Sequence, residues 1–207
     1  MLEQHFSLSA LDIYEELKNL DLLQNAPLYW WPNAGTFEVV VSAILTQNTT
    51  WKNVEKSLAH LQGFLELDTF AKLSEEELKS KIKPSGFYNQ KAPRLLTLTR
   101  NIQKEFQTFQ QFQKEVTREW LLAQNGIGNE SADAILCYAC FRDEMVVDSY
   151  TKRLLKKYNI VFKKYEDYKE FLEFPFRKRD EENVSLLFAR FHGMIVEYNK
   201  HFKKELS

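Results

Sequence analysis

Several groups of residues in this 207-residue chain have the types and spacing to do chemistry. Asp148, in VVDSYTKRLL, places a carboxylate directly ahead of a helical stretch. Such a carboxylate can stabilise positive charge developing beside it and can orient or deprotonate a water. It is also a favoured helix cap, and the two roles can coexist. Gly126, Ile127 and Gly128, in QNGIGNESADAILCYA, stand between two helical stretches. Glycines there permit backbone conformations closed to other residues and close approach of a second backbone, while Ile127 can plug between the helices. The N–H groups opening the second helix then point toward an anion, and a DNA phosphate fits that description as well as a plain interhelical turn does. Tyr29, Trp30 and Trp31 precede Pro32, and Trp51 follows soon after. Indole faces attract flat cations by about 0.5–2 kcal/mol while stacking on them, although tryptophans also serve as plain packing. Gln47, in ILTQNT, sits in a turn after an apolar helix, where a polar residue can simply close the helix end. Trp120, in REWLL, reads as core.

Other chemistry is poorly supported. Cys137 and Cys140 form a CxxC, but no strand precedes them as in a redox βαβ unit, and a structural zinc site wants four ligands at short spacings. They read as small apolar residues lining one helix. His5, His60, His192 and His201 are scattered singly, so no metal site is expected. The net charge is -1, so a nucleic-acid partner would have to meet a local patch. Lys152, Arg153, Lys156, Lys157, Lys163 and Lys164 form one candidate, and Arg177, Lys178 and Arg179 another; solvated helix faces look the same in sequence. No apolar run reaches the roughly 18 residues of a membrane span, and the N-terminus alternates acids with leucines instead of building a signal peptide. No membrane partner and a cytoplasmic location are therefore expected.

The elements that must position these residues are helices. Leu8, Leu11, Leu17 and Leu20 mark one apolar face, Phe37, Val40, Val41, Ile44 and Leu45 a second, and Val54, Leu58 and Leu61 a third. Further helical stretches cover 75–82, 89–105, 109–115, 117–123, 131–141, 149–158, 165–173 and 182–203. Pro27 and Pro32, Pro84 with Gly86, Gly126 with Gly128, and Pro175 separate them. Strand alternation is nearly absent, and the expected fold is all-α.

These motifs resemble a known family. LLAQNGIGNESADAIL followed by VVDSY looks like the helix-hairpin-helix and catalytic aspartate of the endonuclease III superfamily of DNA glycosylases. ILTQNT and SGFYNQKAPRL are similar to that superfamily's pattern in order and spacing, and the likeness covers about residues 35–195. APLYWWPNA and TREWLL make the endonuclease III-like bacterial 3-methyladenine DNA glycosylases the nearest members. The resemblance implies two helical lobes, 34–145 with six helices and the hairpin, and 1–33 plus 146–207, with the base held in the cleft between them. It implies that Asp148 is catalytic, that Gln47 enters the duplex where the target base has been flipped out, and that Gly126, Ile127 and Gly128 bind phosphate, with a monovalent cation bridging the hairpin to it. Trp30, Trp31 and Trp51 would line the base pocket.

Departures from the family pattern sharpen the expectation. Glu130 stands where endonuclease III carries its lysine nucleophile, and a glutamate cannot form a Schiff base. No cysteine follows Cys140, so the iron-sulfur cluster of those relatives is not expected, and no other cofactor is. Met194, in HGMIVEY, replaces a lysine of the nearest alkylpurine relatives. The resemblance thus implies a monomeric, monofunctional glycosylase of base excision repair, flipping out and hydrolysing alkylated purines such as 3-methyladenine from double-stranded DNA. The alternatives are an endonuclease III-like glycosylase/AP lyase on oxidised pyrimidines, or a non-catalytic DNA-binding module.

Overall fold

The structure, a computed structural model, describes residues 8–177 and 183–202. His5, Lys178 and Arg179 lie outside the described residues, as do the ends of the stretch expected over 182–203. Among the described residues there is no β-strand. The chain divides into two compact units, one of residues 1–32 with 142–207 and one of residues 33–141.

The chain opens with α1 (Ala10–Asn19), started by a reciprocal cap in which the Ser9 hydroxyl and the Asp12 carboxylate each accept from the other's backbone N–H. Its buried face is Ala10, Ile13 and Leu17. The expected face beginning at Leu8 is out of register because the cap at Ser9 leaves Leu8 ahead of the helix, and Leu20 is exposed.

The 33–141 unit follows with α2 (Phe37–Leu45), α3 (Trp51–His60), α4 (Leu67–Phe70), α5 (Glu75–Ile82), α6 (Tyr88–Phe106), α7 (Phe109–Glu115), α8 (Arg118–Leu122) and α9 (Asn129–Ala134). Every residue of α2 except Glu38 is buried, so the helix carries no single apolar face. It is the core rod of its unit, packed by α3, α6, α9 and the π-turn that continues α9. That π-turn, Ile135–Ala139, replaces the end of the helix expected over 131–141; the Cys140 N–H reaches back five residues to the Ile135 carbonyl. Cys137 and Cys140 are both buried there.

The other unit resumes with α10 (Ser149–Lys157), α11 (Tyr165–Arg177) and α12 (Val184–His201), with α1 against α11 and α12, and α10 against α12. Ile13, Leu17, Leu154, Leu155, Leu172, Phe188 and Phe191 are at the centre of its core. Pro175 does not end α11 as its position suggested. It lies in the last turn, where it forfeits one i→i−4 hydrogen bond, and the ion pair of Arg177 with Glu173 spans it.

Candidate functional site

In the 33–141 unit the hairpin is built by α8, the turn 123–128 and α9. Thr117 caps α8 through the Trp120 N–H. Arg118 then reaches across to Asp133 on α9, Nε to Oδ1 at 2.7 Å, and Asp133 is wholly buried. This pair clamps the two helices together, and removing Arg118 would strand the buried Asp133 charge. Gln124 fastens the turn by accepting from Asn101 at 2.7 Å.

Gly126 has φ +83°, which strains any other residue, and a Cβ there would meet Arg94 Cδ at 2.5 Å, so the Arg94 side chain would have to move aside. Gly128 differs from expectation. Its φ of -99° is ordinary extended backbone, and nothing lies within 4 Å of where its Cβ would be. What its missing side chain leaves is open approach to the N-terminus of α9, which no side chain caps. Ile127 is buried. Glu130 is exposed on the first turn of α9.

Gln47 follows the end of α2 and is docked on this hairpin. Its Nε2 donates to the Gly126 carbonyl at 3.0 Å and to Ser131 Oγ at 2.9 Å. Two residues earlier, the Leu45 carbonyl accepts from the Lys91 ammonium at 2.8 Å, and the same ammonium donates to the Ser85 carbonyl at 2.9 Å. One buried cation therefore ties the Gln47 turn to the 83–87 turn, and burial pushes it down to about 8. The second turn presents Phe87, left-handed at φ +47° and 59% exposed. Sequence reasoning missed Phe87 and Lys91, although both sit in SGFYNQK. The signal was an aromatic directly after Ser-Gly, where a turn exposes it. Trp51 opens α3, half-buried. Trp120 is half-buried rather than core. Its ring packs edge-on to Phe106 and Phe112, while its indole N–H donates to Glu105 at the surface.

Asp148 belongs to the other unit. The buried run Met145, Val146, Val147 delivers it, with the Met145 N–H donating to Glu173 at 2.9 Å and the Val147 N–H to the Tyr165 hydroxyl at 3.2 Å. Asp148 caps α10: Oδ1 accepts from the Thr151 N–H at 2.7 Å and its hydroxyl at 3.0 Å. Its other oxygen, Oδ2, stands 3.4 Å from His192 Nε2 on α12, an ion-pair distance longer than a good hydrogen bond. The carboxyl keeps 13% exposure. Burial by itself would raise its affinity for a proton. His192, with the N–H and hydroxyl of Thr151, outweighs that and holds the carboxyl below the ordinary aspartate value. The outcome is a sheltered carboxylate that stays ionised.

Trp30 lies against the same imidazole, edge-on at 5.4 Å between ring centroids. Its indole N–H donates to Glu197 at 3.1 Å, and the Lys200 ammonium pairs with the same carboxylate oxygen while lying 5.8 Å from the ring. Gly193 makes room for this arrangement, since a Cβ there would come within 2.5 Å of Trp30 Cγ. Trp31 packs edge-on to Trp30 and is buried. Met194 is buried in the core of the unit. Asp148, His192 and Trp30 are thus brought together, and Gln47 and the hairpin are brought together. His192 and Glu197 were missed because isolated polar residues on a mainly apolar helix announce no partner. The exposed Lys152, Arg153, Lys156 and Lys157 give α10 a basic outer face. Among the described residues no three His, Cys, Asp or Glu side chains cluster to hold a metal ion, and no helix is long and apolar enough to cross a membrane.

Comparison with known proteins agrees with this geometry. The family pattern described as HhH-GPD superfamily base excision DNA repair protein matches residues 41–178. A candidate DNA repair glycosylase of Methanocaldococcus jannaschii is 40% identical over 182 residues, 84% of this chain and 80% of that one. The crystal structure of the H. pylori 3-methyladenine DNA glycosylase MagIII bound to 1,N6-ethenoadenine is 45% identical, with a TM-score of 0.89 over 94% of this chain and 98% of that one. A non-covalent endonuclease III–DNA complex, at 17% identity and a TM-score of 0.72 over 94% of this chain and 87% of that one, shares the fold.

Proposed function

The chain belongs to the HhH-GPD superfamily of base excision DNA repair proteins and is a DNA N-glycosylase; from that premise we propose that it is monofunctional and hydrolyses alkylated purines, 3-methyladenine foremost, from double-stranded DNA. The observation that carries the reading is the 45% identity, over nearly the whole of both chains, to a 3-methyladenine glycosylase.

In the proposed reaction the C1′–N bond breaks and the base leaves with the bonding electrons. An N3-methylated adenine is cationic before it leaves and neutral after, so its departure needs no proton. Positive charge passes to the sugar, and the Asp148 carboxylate stabilises it electrostatically. Water then attacks C1′ and Asp148 accepts its proton, leaving an abasic site. Trp30, with Trp31 packed edge-on to it, offers an aromatic face to the cationic base, and Trp51 is proposed as a further aromatic contact to the base. Gly126, Ile127 and Gly128 bind the backbone through main-chain N–H groups, Gln47 fills the place of the extruded base, and Phe87, exposed on the adjoining turn, joins it against the stack. The basic face of α10 adds sequence-independent attraction.

A monovalent cation at the hairpin is part of the proposal. Carbonyl oxygens of the turn 124–128 suit a hard alkali ion, which would add positive charge toward a phosphate. The carbonyls of Gln124, Gly126 and Gly128 already accept from Ile127, Gln47 and Ala132, so those of Asn125 and Ile127 would hold it. The enzyme is proposed to act as a monomer.

Glu130 supplies no amine, so no Schiff base forms and the strand is not cut. The test is base release from duplexes carrying different lesions, with products identified by mass. Methyladenine release without strand cleavage, and without covalent trapping by borohydride, is expected. Release of oxidised pyrimidines with none of methyladenine, or efficient trapping, would replace this reading by the glycosylase/lyase.

A further inference from the structure

We propose that His192 is a positioning residue for the hydrolysis, holding Oδ2 of the Asp148 carboxylate and linking it to the indole of Trp30. The inference rests on the proposed role of Asp148. Oδ1 is committed to both donors of Thr151, so Oδ2 is the oxygen left for a developing cation and a water. A carboxylate anchored through one oxygen can still swing about that anchor. His192 Nε2, 3.4 Å from Oδ2 and 3% exposed, fixes the second point and therefore the plane. From α12 the group acting on Asp148 is His192, and from Asp148's own helix it is Thr151, which is neutral. Beyond the imidazole lies Trp30, held by Glu197 on one edge and by the absence of a Cβ at Gly193 on the other.

A base stacked on Trp30 would press the ring that steadies the carboxylate. The proton released by the attacking water goes to Asp148 and not to His192. His192 therefore touches neither base nor sugar and acts through its neighbours.

Single-turnover release of 3-methyladenine from methylated duplex DNA, measured against pH, tests this with three variants of the full chain. His192→Phe keeps the ring and loses the N–H; excision should fall about 10- to 100-fold, the scale of one hydrogen bond to a charge, with DNA affinity unchanged. The acid limb of its pH profile should move to higher pH, because burial still disfavours the carboxylate while a counter-influence is gone. His192→Gln, whose amide reaches the place of Nε2, should recover most of the rate and bring the limb back. His192→Asn is too short and should not. Asp148→Asn runs alongside as the reference. If it is inactive while His192→Phe excises at the wild-type rate with its acid limb unmoved, His192 only fills the core and the inference falls alone. If Asp148→Asn itself excises normally, the catalytic reading of Asp148 falls and takes the inference with it. Should His192→Phe not fold, equal rates for the Gln and Asn variants overturn the proposal.

Discussion

Replacing Lys91 by Met should change the protein's stability by an amount that depends on pH in a known direction. The buried ammonium is pushed from an ordinary 10.5 down to about 8. The folded state therefore binds this proton more weakly than the unfolded chain. Below about pH 8 the lysine is charged in both states and folding bears the full cost, about 3 kcal/mol at 1.36 kcal/mol per pH unit. As pH rises from 8 toward 10.5 the unfolded chain still carries the proton while the folded one sheds it, and the cost is lifted. Roughly 2 kcal/mol of it should return between about pH 7 and pH 9.5. The methionine variant lacks this term, but it leaves the carbonyls of Leu45 and Ser85 without their donor, at about 1–3 kcal/mol each. At neutral pH the two effects largely offset and the variant should be only modestly less stable. At pH 9.5 the gap between wild type and variant should be about 2 kcal/mol wider. Urea melts of both proteins across that range measure the gap, and titrations common to both cancel in the difference. A gap constant from pH 7 to 9.5 would refute the argument. The variant should also bind undamaged duplex more weakly at every pH, since the Gln47 and Phe87 turns lose their shared anchor.

Other expectations follow from single contacts. Asp148→Asn should abolish excision yet melt within about 0.5 kcal/mol of wild type, because asparagine caps a helix nearly as well; Asp148→Ala should lose the same activity and about 1 kcal/mol besides. Wild-type excision should persist to pH values below the ordinary aspartate range, since the Asp148 carboxyl is held low, and should fail only as the pH drops through that lowered value; loss of activity already near neutrality would contradict this. Gly126→Val should weaken binding to damaged and undamaged duplexes alike, with a reduced salt dependence, and an unchanged affinity in a folded variant would make the hairpin a simple turn. Trp30→Ala or Trp51→Ala should slow release of 3-methyladenine more than release of any neutral base, as compared in single-turnover assays.

What could be read from the sequence was what local sequence decides. Asp148 ahead of SYTKRLL is a cap because aspartate three residues before a free N–H closes that bond whatever surrounds it. Ile127, in the turn between α8 and α9, is buried as its place between two glycines suggested. The readings that depended on partners distant in the chain were not legible in this way. Gln47 meets Gly126 and Ser131, Lys91 meets Leu45, and His192 meets Asp148 through packing that no periodicity encodes. Composition misled on α2, whose five marked apolar positions suggested one face when neighbours cover all of it. It misled again at Gly128, where a glycine serves by leaving space and not by adopting an unusual conformation. Pro175 failed as a stop signal because the ion pair spanning it and the burial of Phe176 hold the last turn.

The glycine at position 193 sets a limit on making this protein more heat-resistant. Glycine in the interior of a long helix forfeits about 1 kcal/mol relative to alanine, and α12 would ordinarily be the first place to recover it. Here the methyl group of alanine would fall 2.5 Å from Trp30 Cγ, and the indole would have to leave its place beside His192. A screen that ranks variants by melting temperature alone would reward any background able to absorb that displacement. The survivors would be sturdier helices around a misplaced ring, so selection at this position has to read turnover together with melting.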